Sequence, residues 1–461
     1  MSVRRSAVSV ENQSQYLVAV IGAGPAGLFA ARQLVEEGAR VVLFNRDIKP
    51  GGLAEYGIYP EKYKMKDGLR KQFRQILQLP QLDYYGNVTI AKTGDLTLED
   101  LKKLGFQAIL VAAGAQGTKW LGLPGEDIPR GVYHAKDIVY HYNKLPPFSQ
   151  KEFYIGKRVA LVGAGNVMVD IARWLIRTKQ VEEVIAVVRR GPAEVKFDKK
   201  EMEYVIANLD QQAFDAELAR VAPVMQAIGQ DVQAAKEFIL AALPKAVPPV
   251  SSTRFRFDFL ASPVRILGDE RGTVTGLEVE ENRLVLVDGD TKPRGTGVKR
   301  VVAVDTVIFA IGDKVDEGFG LPVQWNAFVK NPNPRYPVDG ISYEAYDPVA
   351  EAPIDGVFVA GWSREASSGL VGVARKDGER GAAAVLQYLK ATKTPLPDPS
   401  IPLANLERQL RQLPKPVVRK DDIQRLEAAE RAEAERRMVE EFKFATNEEM
   451  LAAMGLALTA V

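Results

Sequence analysis

Two stretches of this chain carry residues spaced for chemistry on a phosphate-linked ligand. The first, Gly22-Ala23-Gly24-Pro25-Ala26-Gly27, follows the apolar run 17–21; the second, Gly163-Ala164-Gly165-Asn166-Val167, follows the apolar run 159–162. In each, the first glycine permits a tight turn at a strand end, and the second leaves the backbone bare so that a pyrophosphate can approach. Gly27 additionally lets the helix after the loop pack closely on its strand. That helix, expected over 25–37, aims its N-terminal amides and dipole at the anion. Two such loops imply two dinucleotides.

What stands at the end of the next strand decides which dinucleotide is read. After the first loop the strand 40–44 runs into Asn45, where a carboxylate is expected for the ribose hydroxyls. An asparagine lacks the charged oxygens, so an Asn45→Glu change is expected to tighten the ligand if that carboxylate matters. After the second loop the strand 184–188 runs into Arg189-Arg190-Gly191-Pro192. Two guanidinium groups there suit a 2′-phosphate and favour NADPH over NADH.

Composition narrows the remaining chemistry. The chain has no cysteine, which removes disulfide exchange, thiolate metal sites and protein-bound iron–sulfur clusters. It has two histidines, His134 and His141, so a histidine metal site or a histidine-based triad is not expected, and a structural role is assigned to both. With 61 basic and 59 acidic residues, no nucleic-acid or anionic-membrane partner is implied. No apolar run reaches bilayer length, and a polar tail without an apolar leader region precedes residue 17. A cytoplasmic enzyme is the expectation.

The elements that must position these groups read as α/β. Between the loops lie a glycine-rich turn with Gly51, Gly52 and Leu53, a basic helix over 64–77 with a solvated charged face, a short strand over 87–90 and a buried strand over 108–112. The stretch 197–244 reads as helical and acidic, with Asp210, Asp215, Glu217, Asp231 and Glu237 against Arg220 and Lys236. Strands follow over 254–287, and 307–312 marks a return crossover. Then come Gly361-Trp362, the turn at Gly369-Leu370-Val371-Gly372, a helix over 377–389, and, beyond Pro395, a charged helix over 427–437 that reads as solvated.

This constellation resembles the adrenodoxin-reductase-like NADPH:ferredoxin reductases. Its most specific pieces are the second glycine loop with Asp170, the Arg189-Arg190-Gly191-Pro192 run, and Gly361-Trp362 followed by Gly369-Leu370-Val371-Gly372. The resemblance implies two Rossmann-like domains, the NADP domain inserted into the FAD domain: a tail over 1–16, FAD domain over 17–116 and 318–461, NADP domain over 117–317. It implies FAD against Gly22, Gly24, Ala26, Gly27, Asn45, Gly52, Leu53, Val88, Gly361, Trp362, Gly369, Leu370 and Val371. It implies NADP(H) against Gly163, Ala164, Gly165, Asn166, Val167, Arg189, Arg190, Glu201 and again Gly369. Glu201 would position the nicotinamide or manage a proton, and Lys62 stands where the family has a histidine after its Pro-acid pair. The implied activity is hydride transfer from NADPH to FAD, then single electrons to a ferredoxin-like carrier. The acidic lean of 197–244 departs from the family's basic docking helices and leaves the acceptor open. Two alternatives stand beside it: an electron-input subunit resembling the glutamate synthase small subunit, with clusters in an Fe–S partner subunit, and a non-catalytic nucleotide-binding protein.

Overall fold

The computed structural model describes residues 16–367, 369–392 and 398–456. The expected N-terminal tail up to residue 15, Ser368 of the glycine turn and Pro395 lie outside the described residues. The chain divides into two compact units. One runs to Thr118 and takes in Asn143–Pro147 and Asp313–Val461; the other comprises Lys119–Tyr142 and Phe148–Gly312. The crossovers thus fall at 118 and 312 rather than 116 and 317, and a five-residue piece of the middle segment belongs to the first unit.

In the first unit β1 (Tyr16–Ile21) leads through the glycine loop into α1 (Pro25–Glu36), β2 (Ala39–Asn45), α2 (Tyr63–Leu77), β3 (Leu82–Gly86) and β4 (Ala108–Val111). β1 is an unbroken apolar run because both its faces are covered: Val18 and Val20 join one core cluster, Leu17, Ala19 and Ile21 the other. The strand expected over 87–90 lies earlier, at β3. The left-handed Asn87 (φ 61°) ends the extended chain there, and its side chain donates to the Pro416 carbonyl.

The second unit contains β5 (Val132–His134), β6 (Arg158–Val162), α3 (Asn166–Trp174), β7 (Glu183–Val188), α4 (Gln211–Gln226), α5 (Val232–Leu240) and β8 (Arg254–Phe259). A three-stranded antiparallel sheet follows, β9 (Ala261–Gly268), β10 (Val274–Val287) and β11 (Asp290–Val302), and then β12 (Thr306–Phe309). Its five-stranded sheet is wholly parallel, in the order β5-β12-β6-β7-β8.

The chain then completes the first unit with β13 (Glu344–Asp347), β14 (Ala352–Val359), α6 (Val371–Thr392), α7 (Lys420–Arg437) and α8 (Asn447–Ala453). The six-stranded sheet runs β13-β14-β4-β1-β2-β3, parallel except for the β13 edge. In both units the strand that feeds a glycine loop lies between the strand that follows it and one from much later in the chain, so that the strand order reverses there: β1 between β2 and β4, β6 between β7 and β12. Those are the switch points where open α/β sheets take ligands.

Three expectations about helices change. α6 begins at Val371, six residues earlier than its glycines suggest. Gly378 and Gly381 lower helix propensity but sit where a side chain would strike the Ala26 carbonyl and the Ala360 methyl, at 2.1 and 2.9 Å. α7 starts seven residues before the charged stretch expected over 427–437, and it is this added first part that docks: Ile423 and Leu426 are buried in the first unit's core. Likewise α2 hides Lys66 completely rather than presenting only a charged outer face.

Candidate functional site

The glycines of the two loops differ in what demands them. At Gly22 (φ 104°) a Cβ would lie 2.4 Å from the Ala112 carbonyl oxygen, and at Gly27 it would lie 1.9 Å from the Gly22 carbonyl oxygen. The fold itself requires both. At Gly24 a Cβ would meet nothing within 4 Å. The second loop repeats this: Gly163 (φ 145°) is closed by the Ala310 carbonyl at 2.4 Å, whereas Gly165 is open. Gly24 and Gly165 are also the N-caps of α1 and α3, and neither helix end has a side-chain cap. Two uncapped helix N-termini behind bare backbone suit two pyrophosphates.

Asn45 is committed to the first loop's own architecture. Its Oδ1 accepts from the Ala23 N–H at 3.1 Å, and its Nδ2 donates to the carbonyls of Asp47 (2.7 Å) and Lys49 (3.0 Å). At 8% exposure it clips the glycine loop to the chain leaving β2. An amide can donate and accept at once, which a carboxylate cannot. These contacts give Asn45 a role in the loop that a glutamate could not fill.

The chain after Asn45 folds back on the same loop. Gly51 N–H donates to the Ala23 carbonyl at 2.7 Å. Gly52 adopts φ 50°, ψ −130°, a conformation reserved for glycine, and a Cβ there would lie 3.0 Å from Gly24 Cα. Leu53 follows, partly exposed, and Val88 is buried. Arg46 and Asp47 beside Asn45, and Asn87 and Thr89 beside Val88, line one cleft of about 230 Å³. Lys62 ends the 3-10 turn Pro60–Lys62 and is half-buried.

Gly361 and Trp362 are held by a residue that sequence reading passed over. The carboxylate of Asp377, on α6, accepts from the Gly361 N–H (2.6 Å), the Tyr343 hydroxyl (3.0 Å) and Arg364 Nη2 (2.7 Å). Burial and that carboxylate together raise the Tyr343 phenol above its usual range. Gly361 (φ 63°) also needs its missing side chain, since a Cβ would come 2.7 Å from the Ala26 methyl. The available signal was an acid within a glycine-rich helix, next to Gly378. Gly369 (φ 72°) turns the chain into α6, with Leu370 68% exposed and Val371 beginning the helix.

In the second unit Asn166 and Asp198 exchange two hydrogen bonds of 2.7 Å, side chain to side chain and backbone to side chain. Lys196 N–H donates to the Ala164 carbonyl at 2.8 Å. This fastens the chain after the arginine pair onto the glycine loop and sets the one-turn helix Lys199–Met202, which carries Glu201, beside it. The backbone carrying the arginines is fixed too: the Arg189 carbonyl accepts from Asn282 Nδ2 (2.7 Å) and the Arg190 carbonyl from the Leu260 N–H (3.1 Å). Arg189 is exposed, and Arg190 Nε is buried without a hydrogen-bond partner among the described residues. Lys62 and Glu201 belong to different units.

The acidic residues of 197–244 are largely consumed within the unit. Asp210 and Asp231 cap α4 and α5. Asp215 pairs with Lys236 at 2.7 Å and Glu217 with Arg220 at 2.7 Å. The excess of acid is mostly helix capping and ion pairing, so it carries little weight as a clue to the partner. His134 is 4% exposed against the Trp120 ring. His141 Nδ1 lies 3.2 Å from the Phe148 carbonyl.

Residues 16–229 match the family described as pyridine nucleotide-disulphide oxidoreductase. The disulphide of that description has no counterpart in a chain without cysteine. NADPH-ferredoxin reductase FprA of Mycobacterium leprae is 28% identical over 392 residues, 78% of this chain and 81% of that protein. The mitochondrial NADPH:adrenodoxin oxidoreductase of Homo sapiens is 25% identical over 412 residues, 82% of this chain and 80% of that protein. Among solved structures, a point mutant of FprA from Mycobacterium tuberculosis aligns with a TM-score of 0.78 at 25% identity, over 95% of this chain and 99% of that one. No helix among the described residues is long and apolar enough to cross a membrane.

Proposed function

We propose, from its likeness to the adrenodoxin-reductase-like NADPH:ferredoxin reductases, that this chain oxidises NADPH and passes electrons through FAD to a ferredoxin-like protein carrier. The observation that carries the reading is the pair of open glycines, Gly24 and Gly165, each at a sheet switch point and each capping a helix without a side-chain partner. The bound flavin would supply the conversion of a hydride into single electrons. The chain supplies binding and orientation. The N–H groups opening α1 hold the pyrophosphate of FAD; Gly52, Leu53, Gly361 and Trp362 border its ring, with Asp377 fixing the Gly361 turn. Ala164, Gly165, Asn166 and Val167 hold the second pyrophosphate. Arg189 and Arg190 take the 2′-phosphate, which gives the buried Arg190 Nε–H its acceptor. Glu201 positions the nicotinamide, and Lys62 Nζ carries a proton at the flavin side.

Anaerobic stopped-flow of the purified protein against NADPH and, separately, NADH tests this. Rapid bleaching of the flavin absorbance by NADPH and slow bleaching by NADH is the expected result. A protein that carries no flavin, or whose flavin neither coenzyme bleaches, overturns it.

A further inference from the structure

The first unit gathers buried charges at the back of its double-glycine loop. Lys49 and Glu55 flank that loop with side chains 5% and 3% exposed and lie 3.3 Å apart. Three groups from the far end of the chain close on them. Glu430 of α7 meets Lys49 Nζ at 2.6 Å. Lys443 Nζ lies 2.9 Å from Glu55 Oε1 and donates to the Glu55 carbonyl at 2.8 Å. Glu441 accepts from Arg70 at 2.6 Å, and Arg70 donates to both oxygens of Glu55 at 2.6 and 2.7 Å. Lys66 completes the set, 3.0 Å from Asn143 Oδ1 and 3.3 Å from Glu441.

Such a network is a poor source of net stability, because desolvating each ion offsets most of what its partner returns. What it does is select one arrangement, since any shift leaves a buried charge unpaired. The loop in front of it needs that selection. Gly51 (φ 115°) and Gly52 (φ 50°) have the widest backbone freedom of any residue. On the coenzyme side the Gly51 N–H bond to Ala23 and the Asn45 bond to the Lys49 carbonyl restrain the loop. Resting on the reading above, we propose that Glu430, Glu441 and Lys443 are positioning residues for FAD, holding residues 51–53 against the Gly24 loop so that the cofactor meets a preformed surface.

The docking of α7 does not depend on these charges, because Ile423 and Leu426 are buried in the core on their own account. Variants that lose a charge should therefore fold. Burial, opposed by Lys443 and Lys49 beside it, leaves the Glu55 carboxyl well below its usual range, so Glu55 is charged and its partners matter.

The test uses Lys443→Met, which removes the ammonium that meets both the carboxylate and the carbonyl of Glu55, and Glu430→Gln, which keeps shape and removes one charge. Apoprotein is titrated with FAD by fluorescence quenching, and the visible circular dichroism of the bound flavin is recorded below the unfolding range. The expected result is a rise in the FAD Kd of about tenfold or more, as lost preorganisation gives, and an altered flavin spectrum. NADP+ binding to the same preparations should stay within about twofold of wild type. A lowered melting temperature with an unchanged FAD Kd and spectrum is what a merely structural network gives, and overturns the proposal. Should Lys443→Met fail to fold, Glu430→Gln decides alone. Wild-type protein that takes up no FAD overturns both this inference and the proposed function. Wild-type protein that does, matched by its variants, overturns this inference only.

Discussion

Asn45 offers the sharpest test of the site's architecture. Asn45→Asp preserves size and the acceptor for the Ala23 N–H but turns the Nδ2 donor into an oxygen. The carbonyls of Asp47 and Lys49, 2.7 and 3.0 Å from that atom, would then face a carboxylate in a position only 8% exposed. Losing two hydrogen bonds worth about 1 kcal/mol each, and leaving buried acceptors unpaired at about 1–3 kcal/mol, places the total near 3–5 kcal/mol. At roughly 2–4 °C per kcal/mol for a unit of this size, the first unit should melt about 6–20 °C lower. FAD should bind at least about tenfold more weakly, because the displaced loop is the one it meets. The introduced carboxyl can restore one donor by taking a proton, so its pKa is raised in the folded state, and the deficit should shrink as pH falls from about 8 to about 5. Melting by circular dichroism and FAD titration at both pH values measure this. Unchanged melting within about 2 °C, or tighter FAD on Asn45→Glu, would refute the clip and return Asn45 to the role of a weakened ribose reader.

The glycines give a paired prediction: Gly24→Ala should fold with an unchanged melting temperature yet lose FAD, since its Cβ meets nothing of the chain. Gly27→Ala, whose Cβ would lie 1.9 Å from a carbonyl oxygen, should lose about 3 kcal/mol or more of stability; equal melting of the two variants would contradict this. Replacing Arg189 and Arg190 by alanine should raise the KM for NADPH by about 100-fold, at roughly 1.5–3 kcal/mol per charge-assisted bond, with NADH changed less than about threefold. Equal losses for both coenzymes would remove the 2′-phosphate assignment. Burial, with the Lys136 charge beside it, lowers the His134 pKa from 6.5 to about 4. Below pH 6.5 the unfolded chain takes up a proton that the folded state refuses, so as much as about 3 kcal/mol is lost on acidification to pH 4. His134→Phe should flatten that acid limb, read as the difference in melting temperature from wild type across the range.

Much of this protein follows from local pattern. The glycine loops, the apolar strands before them and the arginine pair are each read from a few adjacent residues, because a backbone that must turn, approach an anion or bury both faces restricts residue type within one short stretch. The ends of elements were less legible: β3 was expected five residues late, and α6 six, because Asn87's left-handed turn and the glycines that accommodate Ala26 and Ala360 answer to partners far along the chain. The same separation explains what was misread. Asn45 looks like a deficient ribose ligand until the carbonyls of Asp47 and Lys49 are seen around its amide, and the acids of 197–244 look like a surface until they are found capping helices. The joining of Lys49 and Glu55 to Glu430 and Lys443 across nearly 400 residues leaves no trace in local spacing. Charge partners are chosen by proximity in space, and that proximity exists only once the sheet has brought both ends of the chain to the same loop.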